Sequence, residues 1–394
     1  MKIVGRHSVH SFGNFAGKML AIGAVLAASA ATAGEKTLYT FTNGSDGAYP
    51  FAGLTIDAKG NLYGAASSGG TGGQGTIFRI AKDGTFSVLY AFAGSNDGAG
   101  PLSAPLVDSH GNLYGTTESG GGSCNCGIVY KLSRKGKETV LHTFTGQPDG
   151  FNPFAPLAMD KSGNLYGTTL EGGTFYGTVF EVSASGNESI LYSFGGDADG
   201  DSPYPGVAPE KHGTLLGSTS FGGTHGFGTI FQLASGGTKT VLYNFAGSSD
   251  AASPTSTPVR DSKGNIYGLA KFGGGSCNCG AMYKLSRKGD ETLIHSFAGG
   301  NDGFSPGYGL TSDASGNFYG VTVEGGTTNC SGYGCGTVFK VSPKRKETIL
   351  YAFLGGADGS TPYYAPVSDA QGKLYGTAEY DGANGYGTIY AITK

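Results

Sequence analysis

The chain has 394 residues, including 74 glycines, 23 tyrosines, 23 phenylalanines and no tryptophan. Only 14% of the residues are charged, and the net charge is −3. A nucleic-acid partner or an anionic membrane surface requires a basic stripe, so we expect neither. Glycine and proline stay below the level of low-complexity disorder, and the aromatic content is sufficient for a core.

Residues 1–33 have the pattern of a secretory signal peptide. Three basic residues and an apolar run over 19–31 precede Ala31-Thr32-Ala33, which is an A-x-A cleavage site. An uncleaved membrane anchor is the alternative, but the apolar run is short for a span. We expect cleavage after Ala33, no transmembrane segment after cleavage, and a periplasmic or extracellular location.

A motif of five residues, GNLYG or a variant of it, recurs seven times in the remainder of the chain. The copies lie at 60–64, 111–115, 163–167, 213–217, 264–268, 316–320 and 372–376. Three further strand-like pieces, each bounded by turn residues, accompany every copy. Four strands in each of seven repeats predict an all-β fold, a seven-bladed β-propeller with four-stranded blades.

The two ends of this repeat array are complementary. Residues 36–41 form a fourth-strand unit with no strands before it, and the chain stops after a third-strand unit at 387–392. We expect the N-terminal strand to complete the last blade and close the ring, which removes two sheet edges. A β-solenoid, the main alternative, would not need complementary ends. Residues 34–394 are therefore predicted to be one propeller domain, and we expect a monomer.

The last glycine of each motif falls inside the second strand of its blade. Glycine in a strand interior allows a close approach by backbone or by an aromatic ring. We expect tyrosine and phenylalanine from neighbouring strands to fill the space. Blade 4 departs from the pattern, because its motif is GTLLG and the preceding aspartate is replaced by Glu210.

The combination of D-x-x-GNLYG, a glycine pair before GTVF, and LYxF resembles the GloVer-type tandem repeat of exported bacterial proteins. The resemblance covers the whole chain after residue 33. The D-x-x-G-N-[LI]-Y core is also similar to NHL-type and gluconolactonase-type propellers. The resemblance implies an exported, propeller-like protein, and it implies no established activity.

Successive strands run in opposite directions, so two kinds of loop emerge on the same face, here called the top face. The fourth-to-first loop joins the fourth strand of one blade to the first strand of the next, and the second-to-third loop joins those two strands within a blade. The other turns lie on the bottom face. Every fourth-to-first loop contains an aspartate four residues before a proline. These are Asp46, Asp97, Asp149, Asp199, Asp250, Asp302 and Asp358. A ring of carboxylates is able to hold Ca²⁺, but local hydrogen bonds to loop amides explain an aspartate that recurs in every blade. We expect no cofactor, with Ca²⁺ as the alternative.

Polar residues that do not repeat are better candidates for chemistry. They follow the second strand and comprise Glu118, Glu171, Lys271, Glu324 and Glu379. Two carboxylates and a lysine are suited to acid–base catalysis. The alternative is that these are ordinary solvated loop residues.

Aromatic residues gather where the chain enters the first strands. The candidate ligand-binding residues are Tyr49, Phe154, Tyr204, Tyr308 and Tyr363. Their rings are suited to stacking on sugars, and the alternative is packing between blades.

Six cysteines form three close pairs in second-to-third loops. The pairs are Cys124 and Cys126, Cys277 and Cys279, and Cys330 and Cys335. In an exported chain they indicate disulfides. Pairing within each loop is the simplest scheme, and pairing between the loops of blades 5 and 6 is the alternative. The spacing does not match a zinc knuckle, and histidine partners are missing.

The sequence contains no G-x-S-x-G, HExxH, P-loop or dinucleotide-binding motif. We therefore favour a binding or scaffolding module for a glycan or a cell-surface protein over an enzyme. The alternative is a lactonase-, polysaccharide-lyase- or glycosidase-like enzyme that uses a top-face cavity. The first strands carry mostly small residues where a gluconolactonase-type site needs acid and amide ligands, which counts against a metal lactonase.

Overall fold

The computed structural model describes residues 34–330 and 332–393. The predicted signal peptide lies outside these residues. Seven antiparallel sheets form the seven blades of a β-propeller, which confirms the predicted fold. Within the described residues, no helix combines the length and the apolar character needed to cross a membrane.

Each blade contains four strands, and the first strand is interrupted in blades 3, 5 and 6. In blade order, the first strands are Thr55–Ile56, Leu106–Val107, Phe151–Pro153 with Ala158–Met159, Val207–Pro209, Ala251–Pro254 with Val259–Arg260, Phe304–Pro306 with Thr311–Ser312, and Val367–Ser368. The second strands are Leu62–Ala66, Leu113–Thr117, Leu165–Glu171, Leu215–Thr219, Ile266–Gly273, Phe318–Glu324 and Leu374–Ala378.

The outer half of each blade is more regular. In the same order, the third strands are Thr76–Ile80, Ile128–Leu132, Thr178–Val182, Thr229–Leu233, Ala281–Leu285, Thr337–Val341 and Thr388–Thr393. The fourth strands are Phe86–Ala91, Glu138–Thr143, Glu188–Ser193, Lys239–Asn244, Glu291–Ser296, Glu347–Ala352 and Gly34–Thr40. Short 3₁₀ helices occupy Ser95–Asp97, Asp197–Asp199, Lys211–Gly213, Gly300–Asp302 and Gly356–Asp358.

The N-terminal strand closes the ring as the sequence predicts. Gly34–Thr40 pairs antiparallel with the third strand of blade 7, with Glu35 opposite Ile392. The strand begins two residues earlier and ends one residue earlier than the predicted span of 36–41. Blade 7 therefore contains strands from both ends of the chain.

The motif glycines pack under aromatic rings of the third strand. A Cβ on any of the seven would stand closer than 3.0 Å to such a ring, so no larger residue fits without a shift. The glycine and aromatic partners are Gly64 and Phe78, Gly115 and Tyr130, Gly167 and Phe180, Gly217 and Phe231, Gly268 and Tyr283, Gly320 and Phe339, and Gly376 and Tyr390. The predicted close approach is confirmed, and it forms the repeated unit of the core.

The first part of the repeat motif is a hydrogen-bonded turn on the bottom face. In blade 1, Asp57 Oδ1 accepts hydrogen bonds from the backbone amides of Lys59 and Asn61, each at 2.9 Å. Asp57 Oδ2 accepts from Asn61 Nδ2 at 2.8 Å and from the Tyr63 hydroxyl at 3.2 Å. The aspartate, asparagine and tyrosine of D-x-x-G-N-L-Y are thus explained by one local network.

Candidate binding site on the top face

The top face is held together by contacts between its two kinds of loop. Ala48, in the loop before blade 1, forms a backbone bridge to Ser68 in the second-to-third loop of that blade. Equivalent bridges join Ala99 to Ser119 and Ser360 to Tyr380. Candidate residues from both loop types therefore lie on one surface.

Six aromatic rings from five blades meet on this face, and we call them the aromatic cluster. Its members are Phe51, Phe154, Tyr204, Tyr308, Tyr363 and Tyr364. The ring centroids of Phe51 and Tyr363 are 4.5 Å apart. The ring centroid of Phe154 is 5.2 Å from that of Tyr204 and 5.4 Å from that of Tyr308. Because Phe154 of blade 3 contacts Phe51 of blade 1 and Tyr308 of blade 6, which are not its neighbouring blades, the cluster lies where the first strands converge.

Four of the five predicted ligand-binding aromatics belong to this cluster, and Tyr49 does not. Its ring lies 5.7 Å from Tyr380 and 5.8 Å from Tyr386. We call these three residues the tyrosine rim. Tyr380 is 44% exposed. The rim therefore presents an accessible ring beside the more buried cluster.

The four predicted carboxylates divide into two pairs around the cluster. Burial is the main cause that raises the pKa of Tyr204, and the charges of Glu118 and Glu171 raise it further. Burial likewise raises the pKa of Tyr363, with contributions from Glu379 and Glu324. Each pair therefore lies close enough to a cluster tyrosine to act on it electrostatically.

Glu379 is the most buried of these carboxylates, with 9% of its surface exposed. Burial raises its pKa to about 7, although a hydrogen bond with Tyr380 opposes the shift. Burial also raises the pKa of Glu118. The fifth candidate, Lys271, places its ammonium group 5.5 Å from the centre of the Phe272 ring. The top face thus combines aromatic rings with carboxylates, one of which is poised to exchange a proton near neutral pH.

The recurring aspartates of the fourth-to-first loops have local partners. Asp46 Oδ2 accepts hydrogen bonds from the Tyr39 hydroxyl at 3.0 Å and from the Thr42 amide at 2.8 Å. Desolvation would raise the pKa of Asp46, but the hydrogen bonds from Thr42 and Tyr39 outweigh it and lower the pKa. The described residues bring no three of these aspartates together around one point. The structure therefore places them in separate loop networks, one in each blade.

A family model described as the Gloeobacter/Verrucomicrobia repeat matches residues 13–176 and 159–390. The chain belongs to the Gloeobacter/Verrucomicrobia repeat family. The resemblance to GloVer-type repeats is thereby confirmed. No match was found among curated protein sequences.

Solved structures similar to this family member share its fold at low sequence identity. Virginiamycin B lyase from Staphylococcus aureus matches with a TM-score of 0.61 and 13% identity, over 92% of this chain and 99% of the lyase. The extracellular domain of a hybrid two-component system from B. thetaiotaomicron matches with a TM-score of 0.57 and 10% identity, over 90% of this chain and 39% of that one. A puromycin hydrolase variant matches with a TM-score of 0.51 and 12% identity, over 84% of this chain and 50% of the hydrolase. These similarities concern the fold alone.

The cysteines of this family member pair within their own loops in the structure. The Cα atoms are 5.1 Å apart for Cys124 and Cys126, and also for Cys277 and Cys279. They are 5.3 Å apart for Cys330 and Cys335. The pairs therefore constrain three loops of the top face, in blades 2, 5 and 6.

Sequence reasoning did not foresee a cavity of about 1230 Å³ on the bottom face, lined by residues in or next to the first strands of all seven blades. Glu210 lies at its edge, where its Oε1 accepts a hydrogen bond from Arg260 Nε at 2.6 Å. Gln232 Nε2 donates to Glu210 Oε2 at 3.1 Å. The only sequence signal was the departure of blade 4 from the motif, because Glu210 replaces the turn aspartate and is free to bind Arg260.

Proposed function

We propose that this family member is an exported binding protein that recognises an uncharged glycan on its top face. The observation that carries the proposal is the meeting of aromatic rings from five blades with carboxylates at their edge. The blades contribute different residues to this site. The site is therefore asymmetric, as recognition of a single ligand requires. This asymmetry distinguishes it from the sevenfold repeated aspartates.

The chemistry of the site fits a sugar. Tyrosine and phenylalanine faces are apolar and suited to stacking on the C–H faces of pyranose rings, while phenol and carboxylate oxygens hydrogen-bond to hydroxyl groups. The four carboxylates, Glu118, Glu171, Glu324 and Glu379, create a negative potential around the cluster. Like charges across an interface are unfavourable, so uronic or sulfated glycans are disfavoured.

A glycan array with neutral and acidic oligosaccharides tests the proposal, followed by calorimetric titration of the best ligand. Tyr363→Ala and Tyr380→Ala are expected to weaken binding of a neutral glycan at least about fivefold, because truncation of an aromatic residue that anchors a ligand costs more than about 1 kcal/mol. Phe175→Ala is the matched control, since Phe175 is a 71% exposed aromatic residue on the top loop of blade 3. The control variant should bind like the wild type.

Two outcomes would overturn the glycan proposal. The first is the absence of glycan binding by correctly folded protein, and a pull-down that recovers a surface protein would then favour the scaffolding role. The second is an equal loss of affinity in the Phe175 control, which would indicate a nonspecific effect of removing exposed aromatic surface.

Export is part of the proposal, and it rests on the sequence of residues 1–33 and on the cysteine pairs. Mass spectrometry of the protein recovered from an expressing bacterium should give a mature chain that begins at Gly34. Uncleaved protein retained in the membrane fraction would contradict export.

A second candidate function is hydrolysis or elimination on a glycan or lactone. It is favoured by Glu379, whose pKa of about 7 suits a general acid, and by Glu324 near the same tyrosine. A panel of lactones and polysaccharides should then show turnover that Glu379→Gln abolishes and that the control variant Phe175→Ala preserves. Turnover unaffected by Glu379→Gln would exclude this catalytic assignment.

A further inference from the structure

Seven equivalent sites lie between neighbouring blades, and we call them junction sites. Each combines a fourth-strand tyrosine or histidine, the aspartate seven residues later, and a residue at or near the start of the next blade's fourth strand. The seven sets are Tyr39, Asp46 and Phe86; Tyr90, Asp97 and Glu138; His142, Asp149 and Glu188; Tyr192, Asp199 and Lys239; Tyr243, Asp250 and Glu291; His295, Asp302 and Glu347; and Tyr351, Asp358 and Glu35.

Two of the junction sites contain a histidine, and they are alike in geometry. His142 Nε2 lies 3.1 Å from Asp149 Oδ1 and 3.2 Å from Oδ2. The corresponding distances from His295 to Asp302 are also 3.1 and 3.2 Å. In both sites, one ligand atom each from the histidine, the aspartate and the glutamate lie within 4.8 Å of one another.

The glutamates of these two sites each have an oxygen without a protein partner. Oε1 of Glu188 and Oε1 of Glu347 are buried and make no hydrogen bond among the described residues. Within the same residues, this oxygen is also unpaired at Glu138 and Glu291 in two tyrosine junctions, so the histidine is what distinguishes the two sites. A histidine–aspartate ion pair accounts for the short contact between those two residues. It does not account for a buried carboxylate oxygen beside them, which costs free energy unless something neutralises it.

The other two side chains are held in place by their surroundings. Asp149 Oδ2 accepts hydrogen bonds from the amide of Thr145 at 2.8 Å and from its hydroxyl at 3.0 Å. The His142 ring packs edge-to-face on Phe144, with centroids 4.8 Å apart. In the second site, the amide of Ala298 donates to Asp302 Oδ2 at 2.7 Å. Fixed ligand orientation of this kind is typical of metal sites.

We propose that His142, Asp149 and Glu188, together with His295, Asp302 and Glu347, form two divalent transition-metal sites suited to Zn²⁺. One imidazole nitrogen and two carboxylate oxygens are ligands that Zn²⁺ accepts, with water in the fourth position. Donors that are each about 2.1 Å from a tetrahedral ion stand roughly 3.4 Å apart, close to the observed histidine–aspartate spacing. A divalent ion also balances the two carboxylates.

Nitrogen ligation separates this proposal from the Ca²⁺ ring considered for the aspartates. Ca²⁺ takes oxygen ligands, whereas imidazole suits zinc, nickel and copper. Each ion would link the fourth strand and following loop of one blade to the fourth strand of the next, joining blade 2 to blade 3 and blade 5 to blade 6. Such a link stabilises the folded protein by RT ln(1 + c/Kd), where c is the concentration of free Zn²⁺, so the stabilisation rises with that concentration.

The experiment is a ZnCl₂ titration of the full mature chain, without a histidine tag and after removal of metal with EDTA. Bound metal is counted by elemental analysis after equilibrium dialysis. The wild type should bind two equivalents, His142→Tyr or His295→Tyr one, and the double variant none. These substitutions recreate the tyrosine junction of Tyr243, Asp250 and Glu291, around which the same protein already folds. The melting temperature of the wild type should rise with Zn²⁺, and that of the double variant should not.

A second pair of variants tests the glutamates. Glu188→Lys and Glu347→Lys introduce the lysine found at the junction between blades 3 and 4, where Lys239 Nζ lies 2.7 Å from Asp199 Oδ1, and each should remove one equivalent of Zn²⁺. His225→Tyr is the control for a histidine outside both sites, and it should retain two equivalents. The absence of Zn²⁺ binding by the wild type would overturn the proposal. Binding that persists in the double histidine variant would also overturn it, because the metal would then lie elsewhere.

Discussion

The Tyr130 ring occupies the space directly over Gly115, where a side chain on that glycine would have to lie. Tyr130 is fully buried, so it has no room to move aside. Gly115→Ala should therefore lower the free energy of unfolding by about 1–3 kcal/mol, the usual cost of an overpacked core. Denaturant unfolding monitored by tyrosine fluorescence measures the change.

Gly236→Ala is the matched control for that substitution. Gly236 lies in an exposed turn of blade 4, and a Cβ there meets no atom within 4 Å. Its effect should stay within about 0.5 kcal/mol, as is usual for surface sites. Equal stability of the two variants would contradict the packing role assigned to the motif glycine.

The Tyr130 hydroxyl provides a second prediction. It is buried and has no hydrogen-bond partner among the described residues. Four other blades carry phenylalanine at the equivalent position, as Phe78 does in blade 1. Tyr130→Phe should leave stability unchanged or raise it by up to about 1 kcal/mol, since it removes an unpaired polar group. A loss of stability in thermal unfolding would show that the hydroxyl is paired.

Stability should also depend on pH through partly buried glutamates. Burial raises the pKa of Glu291 to about 7, and the nearby Asp250 charge adds to the shift. The folded protein therefore holds a proton that the unfolded chain releases above pH of about 4.3. Folded-state stability should fall as the pH rises from about 5 to about 7 and then level off. Aspartates whose pKa is lowered in the folded protein, such as Asp46, have the opposite effect. They make the folded protein more stable as the pH rises through the lower range in which aspartate ionises, about pH 4 and below.

Glu291→Gln tests this account, because glutamine mimics the protonated carboxyl at every pH. Melting temperatures measured across this range should decline less steeply in the variant than in the wild type. Glu171→Gln removes the same charge from an exposed residue and should leave the slope unchanged. Identical slopes for Glu291→Gln and the wild type would contradict the assignment.

Ring closure can be tested by removing the N-terminal strand. Deletion of residues 34–41 takes away the partner of Thr388–Thr393 and the buried side chain of Phe41. We expect a large fall in melting temperature and self-association on size-exclusion chromatography, because an unpaired sheet edge pairs with other copies. A monomeric deletion variant of unchanged stability would show that the ring does not depend on this strand.

The fold was predictable because its determinants are local and repeated. The network of Asp57, Asn61 and Tyr63 lies within seven residues, and the motif glycine and its aromatic partner recur at nearly constant spacing. A period of four strand-like pieces therefore specified the blades. The extra two residues of the N-terminal strand were missed because pairing of Gly34 with Thr393 and of Glu35 with Ile392, rather than strand propensity, extends the strand.

The sites were less predictable because they join distant segments. Phe51 and Tyr363 lie more than 300 residues apart in the chain, and only the closed ring brings their rings together. Glu188 meets His142 across a blade boundary, so no local spacing marks the junction site. The bottom-face cavity depends on seven first strands at once, and the sequence indicated it only through Glu210.

The most direct test of the proposed function is a crystal structure of the protein soaked with the best neutral oligosaccharide from the array. The account predicts electron density for a sugar ring stacked against the aromatic cluster or the tyrosine rim, with hydroxyls within hydrogen-bond distance of Glu379 or Glu324. Density for the sugar in the bottom-face cavity beside Glu210 and Arg260, with the top face empty, would contradict it.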